Sequence, residues 1–303
     1  MVAAGIAAPV VRRRVSAPPL VMQTVAFAAP LGLAIAVRRS RTRDIAICSL
    51  QMWAYLAAYK TPHDDAGAQE QRVHVRYPIT VDRLIGLGEL PTVRLQRSLA
   101  RIDPQGAQWR ALDRVLVWAH WSWFLVPHGT LLYVLARRPS RFTGAAALTY
   151  AVFDIGAGVY WLAPTAPPWY AASEASAVMH EPPQVRRMMV EYGEFFWRDG
   201  WGSLYSVFGG NPLAAMPSLH FATSVMAALL LNEVGPVSGA VGFTYASTLG
   251  FALVYLGEHY VVDLIAGAAL AGAVWRLGPR AAPLLQRISS GIGSLEEIAH
   301  GAA

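Results

Sequence analysis

The sequence predicts an all-α polytopic membrane protein, a helical bundle with six or seven transmembrane helices. The chain has 303 residues, of which 54% are hydrophobic and only 15% are charged. Its mean hydropathy is +0.35, which is too high for an ordinary soluble domain. Several apolar segments also approach the length of about 20 residues that a membrane-spanning helix needs.

Seven apolar segments are the candidate spans, and the sequence contains no internal repeat. They run over 19–37, 45–59, 112–136, 143–163, 218–234, 238–257 and 259–277. The second of these is short, so we expect it to be tilted or partly buried in protein.

Two polar stretches interrupt the apolar segments. Within 60–111, the part that follows Pro91 alternates charged and apolar residues at near-helical spacing, which predicts a helix lying on the membrane surface. The other stretch, 164–217, begins with several prolines. Because proline cannot continue a helix, the preceding span is expected to end at Ala163.

The arginines orient the bundle through the positive-inside rule. The group RRPSR at 137–141 and the arginines of the C-terminal tail mark the cytoplasmic side, and the acidic stretch 164–217 is therefore placed outside. Seven crossings would put the N-terminus outside, which conflicts with Arg12–Arg14. Either seven segments cross, or one of the first two does not, and the sequence leaves both open.

Composition also excludes several classes of function. The net charge is +6, but the arginines sit beside apolar segments rather than on one basic face, so no nucleic-acid partner is expected. The one cysteine, Cys48, cannot form an intramolecular disulfide or a cysteine-based zinc site. We predict neither a metal nor another cofactor, and the sequence does not predict the oligomeric state.

Two short motifs carry side chains suited to chemistry. In PSLH at 217–220, Pro217 suits the first turn of a helix, and His220 then lies where the helix dipole and free N–H groups favour an anion such as phosphate. Ser218 can add a hydroxyl donor. In HYVVD at 259–263, the four-residue spacing places His259 and Asp263 on one helix face.

The apolar segments between these motifs predict that the two histidines meet. The segments 218–234 and 238–257 form a helical hairpin that crosses the membrane and returns. His220 and His259 then lie at the same membrane face. Asp263 can hold one ring nitrogen of His259 and leave the other free to attack. The alternative is that these histidines make only polar packing contacts within the bundle.

The motifs resemble those of the type-2 phosphatidic acid phosphatase superfamily of membrane lipid phosphatases and phosphotransferases, whose pattern is KxxxxxxRP, PSGH and SRxxxxxHxxxD. PSLH matches the second motif, with Leu219 in place of glycine, and HYVVD matches the end of the third. The resemblance implies that His259 is a nucleophile forming a phosphohistidine, that Asp263 orients it, and that His220 protonates the leaving group.

This chain departs from the family pattern in its phosphate-binding residues. The serine and arginine of the third motif would fall at Ala252 and Leu253, and the first motif has no basic equivalent. The branch that looks most similar contains inositol phosphorylceramide synthase and sphingomyelin synthase, which relax the flanking motifs. The stretch VDRLIGLGELPTVRLQ is also similar to bacterial members of that branch, so the resemblance covers roughly Val81 to Trp275.

Other residues are candidates for contacts with the substrate. Arg186 or Arg187 could replace the missing phosphate-binding arginine, since arginine binds phosphate in bidentate fashion; the alternative is an exposed surface charge. His120 and His128 lie eight residues apart on nearly one face of the third span. They could line the head-group site or form hydrogen bonds between helices. Glu258 is expected to cap the helix that follows it.

These observations combine into one functional prediction. The chain is divided into anchor helices with an interfacial segment (1–111), a catalytic bundle (112–280) and a cytoplasmic tail (281–303). We predict a lipid phosphoryl-group or head-group phosphotransferase in the plasma membrane, working on a membrane lipid within the phospholipid bilayer from the extracytoplasmic side. The alternatives are a lipid phosphate phosphatase on the same site and, in another class, a non-catalytic lipid-binding or transport protein.

Overall fold

A computed structural model of the chain describes residues 1–11, 18–61, 65–103, 106–179, 184–208 and 210–301. The described residues are predominantly helical, and the predicted all-α membrane bundle is confirmed. The helices are α1 (Val2–Val11), α2 (Pro19–Ala36), α3 (Arg41–Lys60), α4 (Ala66–Glu70), α5 (Arg76–Ile85), α6 (Pro91–Leu99), α7 (Ala111–Trp121), α8 (Leu125–Arg137), α9 (Phe142–Leu162), α10 (Pro168–Met179), α11 (Met188–Trp197), α12 (Gly200–Phe208), α13 (Leu219–Val234), α14 (Pro236–Tyr255) and α15 (Val261–Gly301). Two three-residue strands, β1 (Arg101–Asp103) and β2 (Gly106–Gln108), pair antiparallel.

Within the described residues, four segments are long and apolar enough to cross a membrane. They are α2, α14, α15 and the segment Pro139–Leu162, which contains α9. The helices α1 and α13 are apolar but shorter. The number of six or seven spans therefore stays a prediction, and Arg12–Arg14 lie outside the described residues.

The third predicted span, 112–136, is not one continuous helix. It is divided into α7 and α8 by a turn at residues 122–124. Pro127 explains the break, because it lacks an N–H and its ring would collide with the carbonyl four residues earlier. In the structure Pro127 lies in the first turn of α8, where a missing N–H costs nothing.

The chain forms two compact units, residues 1–66 with 273–303, and residues 67–272. In the first unit α2 packs on both α1 and α3. Arg43 is buried there and donates to Glu296 at 2.9 Å. The predicted boundaries at 111/112 and 280/281 stay predictions.

The second unit is built around the hairpin of α13 and α14. Helices α8 and α9 pack on α13, whereas α6 and α7 pack on α14. One buried cluster joins three helices of this unit. It contains Leu116 and Val117 of α7, Met188 and Tyr192 of α11, and Tyr255 of α14. The hairpin therefore forms the frame on which the remaining helices of this unit are placed.

The predicted surface helix after Pro91 is α6, and α5 precedes it. Gly86 ends α5, and Arg94 donates to the Gly86 carbonyl at 2.5 Å, which joins the two helices. Helix α6 buries Thr92 and Gln96 rather than lying free of the bundle. Whether its other face touches the membrane surface stays a prediction.

Candidate active site

The starts of α13 and α15 lie against each other. The backbone N–H of Ser218 donates to the Asp263 carbonyl at 2.9 Å. Gly267 permits this approach, because a Cβ there would lie 2.5 Å from the Ser218 carbonyl oxygen. The structure thus brings together the two motifs that were predicted to lie at one membrane face because a helical hairpin separates them.

His220, His259 and Asp263 form a hydrogen-bonded relay. Nδ1 of His220 lies 3.2 Å from Nε2 of His259, and Nδ1 of His259 lies 3.3 Å from Oδ2 of Asp263. Since the carboxylate can only accept, Nδ1 of His259 carries the proton and its Nε2 is the acceptor in the neutral ring. Nδ1–H of His220 is therefore the donor between the two rings. His259 and Asp263 are 4% and 0% exposed, so the relay lies inside the bundle.

Asp263 accepts both of its side-chain hydrogen bonds on the same oxygen. Oδ2 also receives the backbone N–H of Tyr260 at 2.9 Å, whereas Oδ1 is buried without a hydrogen-bond partner. The partner expected for this buried carboxylate is therefore His259, with support from the backbone before α15.

Ser218 is the N-cap of α13. Its side-chain oxygen accepts the N–H of Phe221 at 3.3 Å, and its extended backbone places Pro217 outside the helix rather than in its first turn. The carbonyl of Pro217 accepts the hydroxyl of Tyr160 at 2.7 Å. A capping serine of this kind explains why the helix begins one residue later than the proline suggested. The role of Ser218 as a donor to phosphate stays a prediction.

Leu219, the departure from the family motif, fills a specific space. It is 3% exposed, and a Cβ placed on Gly156 of α9 would lie 2.3 Å from its Cδ2. Leucine at 219 and glycine at 156 are therefore complementary, and the contact holds the start of α13 against α9.

Two rings, one from the end of α7 and one from the turn that follows it, pack on His220. The His120 ring is stacked on it with centroids 5.1 Å apart, and the Trp123 ring lies 4.2 Å away. Trp123 also donates to Thr223 at 2.9 Å. His120 was an open candidate in the sequence, and Trp123 was missed. Pro127, which interrupts the helix, was the available signal.

His128 lies elsewhere. Its Nδ1 is 2.8 Å from the Phe124 carbonyl oxygen, and its ring lies 6.1 Å from that of Phe153. Among the described residues no hydrogen bond joins His128 to His220 or His259. The break between α7 and α8 separates it from His120, so the two do not share one continuous helix face. Its predicted contact with substrate stays a prediction.

The two candidate arginines differ in their surroundings. Arg186 donates to both carboxylate oxygens of Glu191. Arg187 donates to Glu258 at 3.0 Å and to the Tyr205 hydroxyl at 2.8 Å, and its guanidinium lies 3.8 Å from the centre of the Trp169 ring. Both arginines are paired rather than free surface charges.

Glu258 joins Arg187 to the relay. It immediately precedes His259 in the chain. The sequence predicts that Glu258 caps α15, but in the structure it pairs with Arg187 instead. Burial acts to lower the pKa of Arg187, but the carboxylate of Glu258 outweighs it and holds that pKa above its ordinary value. Arg187 and Glu258 are also close enough to His120 for their charges to act on its ring.

The positions of the missing motif residues are closed by packing. Ala252 and Leu253 are both fully buried, and the Leu253 carbonyl accepts the backbone N–H groups of Glu258 and His259. In the part of the chain that the structure describes, no group of three His, Cys, Asp or Glu side chains could hold a metal ion.

Fold and site define a class: a helical membrane protein with a buried histidine, a partly buried histidine and a buried carboxylate arranged for nucleophilic and acid–base chemistry. A sequence profile described as the PAP2 superfamily matches residues 106–277. The chain belongs to this superfamily, which confirms the resemblance read from its motifs and the predicted phosphatase or phosphotransferase type of enzyme.

Curated relatives share part of the chain. The inositol phosphorylceramide synthase of Candida albicans is 36% identical over 117 residues, covering 37% of this chain and 24% of that protein. The phosphoinositol dihydroceramide synthase of Bacteroides thetaiotaomicron is 30% identical over 159 residues, covering 50% of this chain and 51% of that protein. The chain thus spans between a quarter and about half of the length of these relatives. No solved structure matches the chain.

Proposed function

We propose that the protein is a lipid head-group phosphotransferase that works through a phosphohistidine on His259. The observation that carries the proposal is the relay of Asp263, His259 and His220, with its 3.3 Å and 3.2 Å contacts. The names of the relatives, which are synthases of phosphoinositol-bearing ceramides, support a phosphoinositol head group and a ceramide-type acceptor.

Each half of the reaction uses the same two rings. Nε2 of His259 attacks the phosphorus atom, the bond from phosphorus to the lipid oxygen breaks, and His220, which acts as an imidazolium, gives its proton to that oxygen and becomes neutral. The head group then remains on His259 through a P–N bond. In the second half His220 takes the proton of the acceptor hydroxyl, whose oxygen attacks phosphorus, and His259 is released.

The resting hydrogen bond between the rings has a consequence for substrate binding. Nε2 of His259 accepts from His220 and is not free. A reacting phosphorus must come within about 3–3.5 Å of that nitrogen, so the substrate has to displace this bond. The proton of His220 is then released next to the leaving oxygen, where the acid is needed.

Arg187 is the better candidate for binding the phosphate. Its partner Glu258 adjoins His259 in the chain, and its guanidinium stacks on Trp169. Arg186 is held by Glu191 and lies over Trp109 at 5.8 Å. We propose that Arg187 shares its donors between Glu258 and the phosphate when substrate is bound, and that Arg186 shapes the loop.

The ends of α13 support an active site on the extracytoplasmic side of the plasma membrane. His220 lies at the start of α13, and Glu233 at its end pairs with Arg141 at 3.0 Å. At 1.5 Å per residue this separation is roughly 20 Å. The arginine group at 137–141 therefore lies at the opposite end of the helix from the histidines, and the positive-inside rule places that end in the cytoplasm.

Exposed aromatic side chains on α7 and α11 support contact with the bilayer. Trp118 of α7 lies two residues before His120, and its ring contacts those of Phe196 and Trp121. Phe195 and Trp197 are also exposed. Aromatic residues of this kind concentrate at the membrane–water interface, where the phosphate of a lipid also lies.

The test is a reaction in which the product and the enzyme intermediate are both followed. The purified protein is incubated with a panel of phospholipids, including an inositol phospholipid, and polyprenyl phosphates, each with and without ceramide. A new phospholipid formed only with ceramide indicates transfer, whereas free phosphate without an acceptor indicates a phosphatase.

A labelled head group should become attached to the wild-type protein through an acid-labile bond. His259→Ala should lose both turnover and label. His74→Gln is the matched control, because the ring of His74 packs on Tyr77 and, among the described residues, forms no hydrogen bond with the relay. Wild-type turnover in His259→Ala would overturn the proposal, and the lack of any product or label in the wild type would favour a lipid-binding or transport protein.

A further inference from the structure

Two polar side chains from the helical hairpin of α5 and α6 hold both ends of the loop that carries His259. This loop, Leu256–Tyr260, joins α14 to α15. Asp82 of α5 is 0% exposed and Gln96 of α6 is 7% exposed. Each forms a hydrogen bond with a backbone group next to this loop.

Asp82 caps the start of α15 from a distant part of the chain. Its Oδ1 accepts the N–H of Val262, the second residue of the helix, at 3.0 Å. Tyr260 precedes the helix and is not one of the short polar residues that cap their own helices. Asp82 therefore supplies the acceptor that the local sequence lacks.

Gln96 holds the other end of the loop. Its side-chain amide donates to the carbonyl of Tyr255, the last residue of α14, and to the carbonyl of Arg186, both at 2.9 Å. Its side-chain oxygen accepts the N–H of Arg186 at 2.9 Å. Gln96 thus ties the end of α14 to the segment that carries Arg187.

The burial of Asp82 is difficult to explain by stability alone. Its Oδ2 is buried without a hydrogen-bond partner. Burial raises the pKa of Asp82, and the charge of Asp263 acts in the same direction. A buried carboxylate with an unpartnered oxygen costs free energy, and this cost is consistent with a role in positioning the backbone that Asp82 binds.

We propose that the hairpin of α5 and α6 is the positioning element of the active site. Asp82 sets the start of α15 and with it the geometry of His259 and Asp263, and Gln96 sets the segment of Arg187. The roles of those three residues rest on the proposed function. Asp82 and Gln96 both precede residues 106–277, the part that the superfamily profile matches.

The experiment compares Asp82→Ala, Asp82→Asn and Thr92→Val in the full-length protein. Asparagine keeps the acceptor oxygen, whereas alanine removes it. Thr92 is a matched control, because it is buried on the same hairpin and its hydroxyl has no hydrogen-bond partner. The readouts are kcat, KM and the hydrogen exchange of backbone amides in residues 257–264.

We expect Asp82→Ala to lower kcat by about 30- to 100-fold, because small displacements of reacting groups have effects of this size. KM should stay within about threefold, and exchange in residues 257–264 should become faster. Asp82→Asn should return kcat to within about fivefold of the wild type and restore slow exchange. Thr92→Val should resemble the wild type in all three readouts.

Gln96→Ala should act mainly on KM, because it releases the segment of Arg187 rather than the start of α15. Wild-type kcat in Asp82→Ala would overturn the proposal. A folded Asp82→Asn that is as inactive as Asp82→Ala would also overturn it, since the acceptor would then not be what matters. If Asp82→Ala does not fold, kcat and hydrogen exchange in Asp82→Asn are compared with those in Thr92→Val, and this comparison tests the proposal. If the wild type turns over no lipid, the exchange measurement still tests the positioning by itself.

Discussion

The single oxygen that Asp263 uses makes Asp263→Asn an informative variant. Tyr260 and His259 both donate to Oδ2, and Oδ1 has no partner. An asparagine can therefore keep its oxygen in place for both bonds and put its amide group where Oδ1 was. The tautomer of His259 is preserved, and what is lost is the negative charge.

In the proposed reaction, charge develops on His259 as its P–N bond forms, and the size of the effect follows from that charge. At an effective dielectric constant of about 20, unit charges roughly 4 Å apart attract by about 4 kcal/mol. If half of the charge has developed in the transition state, the loss is about 2 kcal/mol, or roughly 30-fold in rate; complete development gives about 1,000-fold. We therefore expect Asp263→Asn to lower kcat by about 30- to 1,000-fold.

We expect the stability of Asp263→Asn to change much less than its activity. One unpartnered buried polar atom replaces another, so the midpoint of thermal unfolding should change by less than about 5 °C. Asp263→Ala also removes the acceptor for the Tyr260 N–H and should lose both activity and stability. Asp113→Asn is the matched control, because Asp113 is buried and accepts the Tyr255 hydroxyl at 2.6 Å outside the relay.

The assay is the proposed head-group transfer, measured with the lipid pair that supports it in the wild type, together with thermal unfolding of the same samples in detergent. If Asp263→Asn keeps wild-type kcat while it remains folded, the charge of Asp263 takes no part in the reaction. A large fall in the unfolding midpoint that accompanies the loss of activity would mean that the carboxylate is structural.

Three further predictions concern the surroundings of the relay. Gly156→Ala should lower the free energy of unfolding by about 1–3 kcal/mol through its clash with Leu219, but it should be stabilising in a Leu219→Ala background; additive effects in thermal unfolding would contradict the contact. Arg187→Lys should raise KM about tenfold, because lysine cannot keep the two-pronged contact with Glu258 and the stacking together. Arg186→Lys should change KM less than threefold by the same assay, and equal effects would argue against the choice of Arg187. His120→Phe preserves the stacked ring and should keep kcat within about threefold, whereas His120→Ala should lose about tenfold; loss in both would point to a role for the ring nitrogens.

The class of fold and the central pair of motifs could be predicted from the sequence because both are local patterns. Hydropathy over about 20 residues indicates a span, and the observed α14 lies within two residues of the predicted segment at both ends. The spacing of His259 and Asp263 places them on one turn, and the hairpin between the motifs returns the chain to the same end. These inferences depend on periodicity and length, which the chain carries by itself.

The tertiary structure decided everything that depends on partners distant in sequence. Asp82 meets Val262 across 180 positions, and no local pattern marks a residue that caps a helix elsewhere in the chain. The surroundings of Arg186 and Arg187 could be distinguished only in the folded chain, where Glu258 lies beside Arg187, since adjacent arginines look alike in the sequence. Leu219 looked like a departure from a motif, and the glycine of α9 that accommodates it is what makes it fit. Packing and buried polar contacts are properties of several segments at once, and for that physical reason they were settled only when those segments folded together.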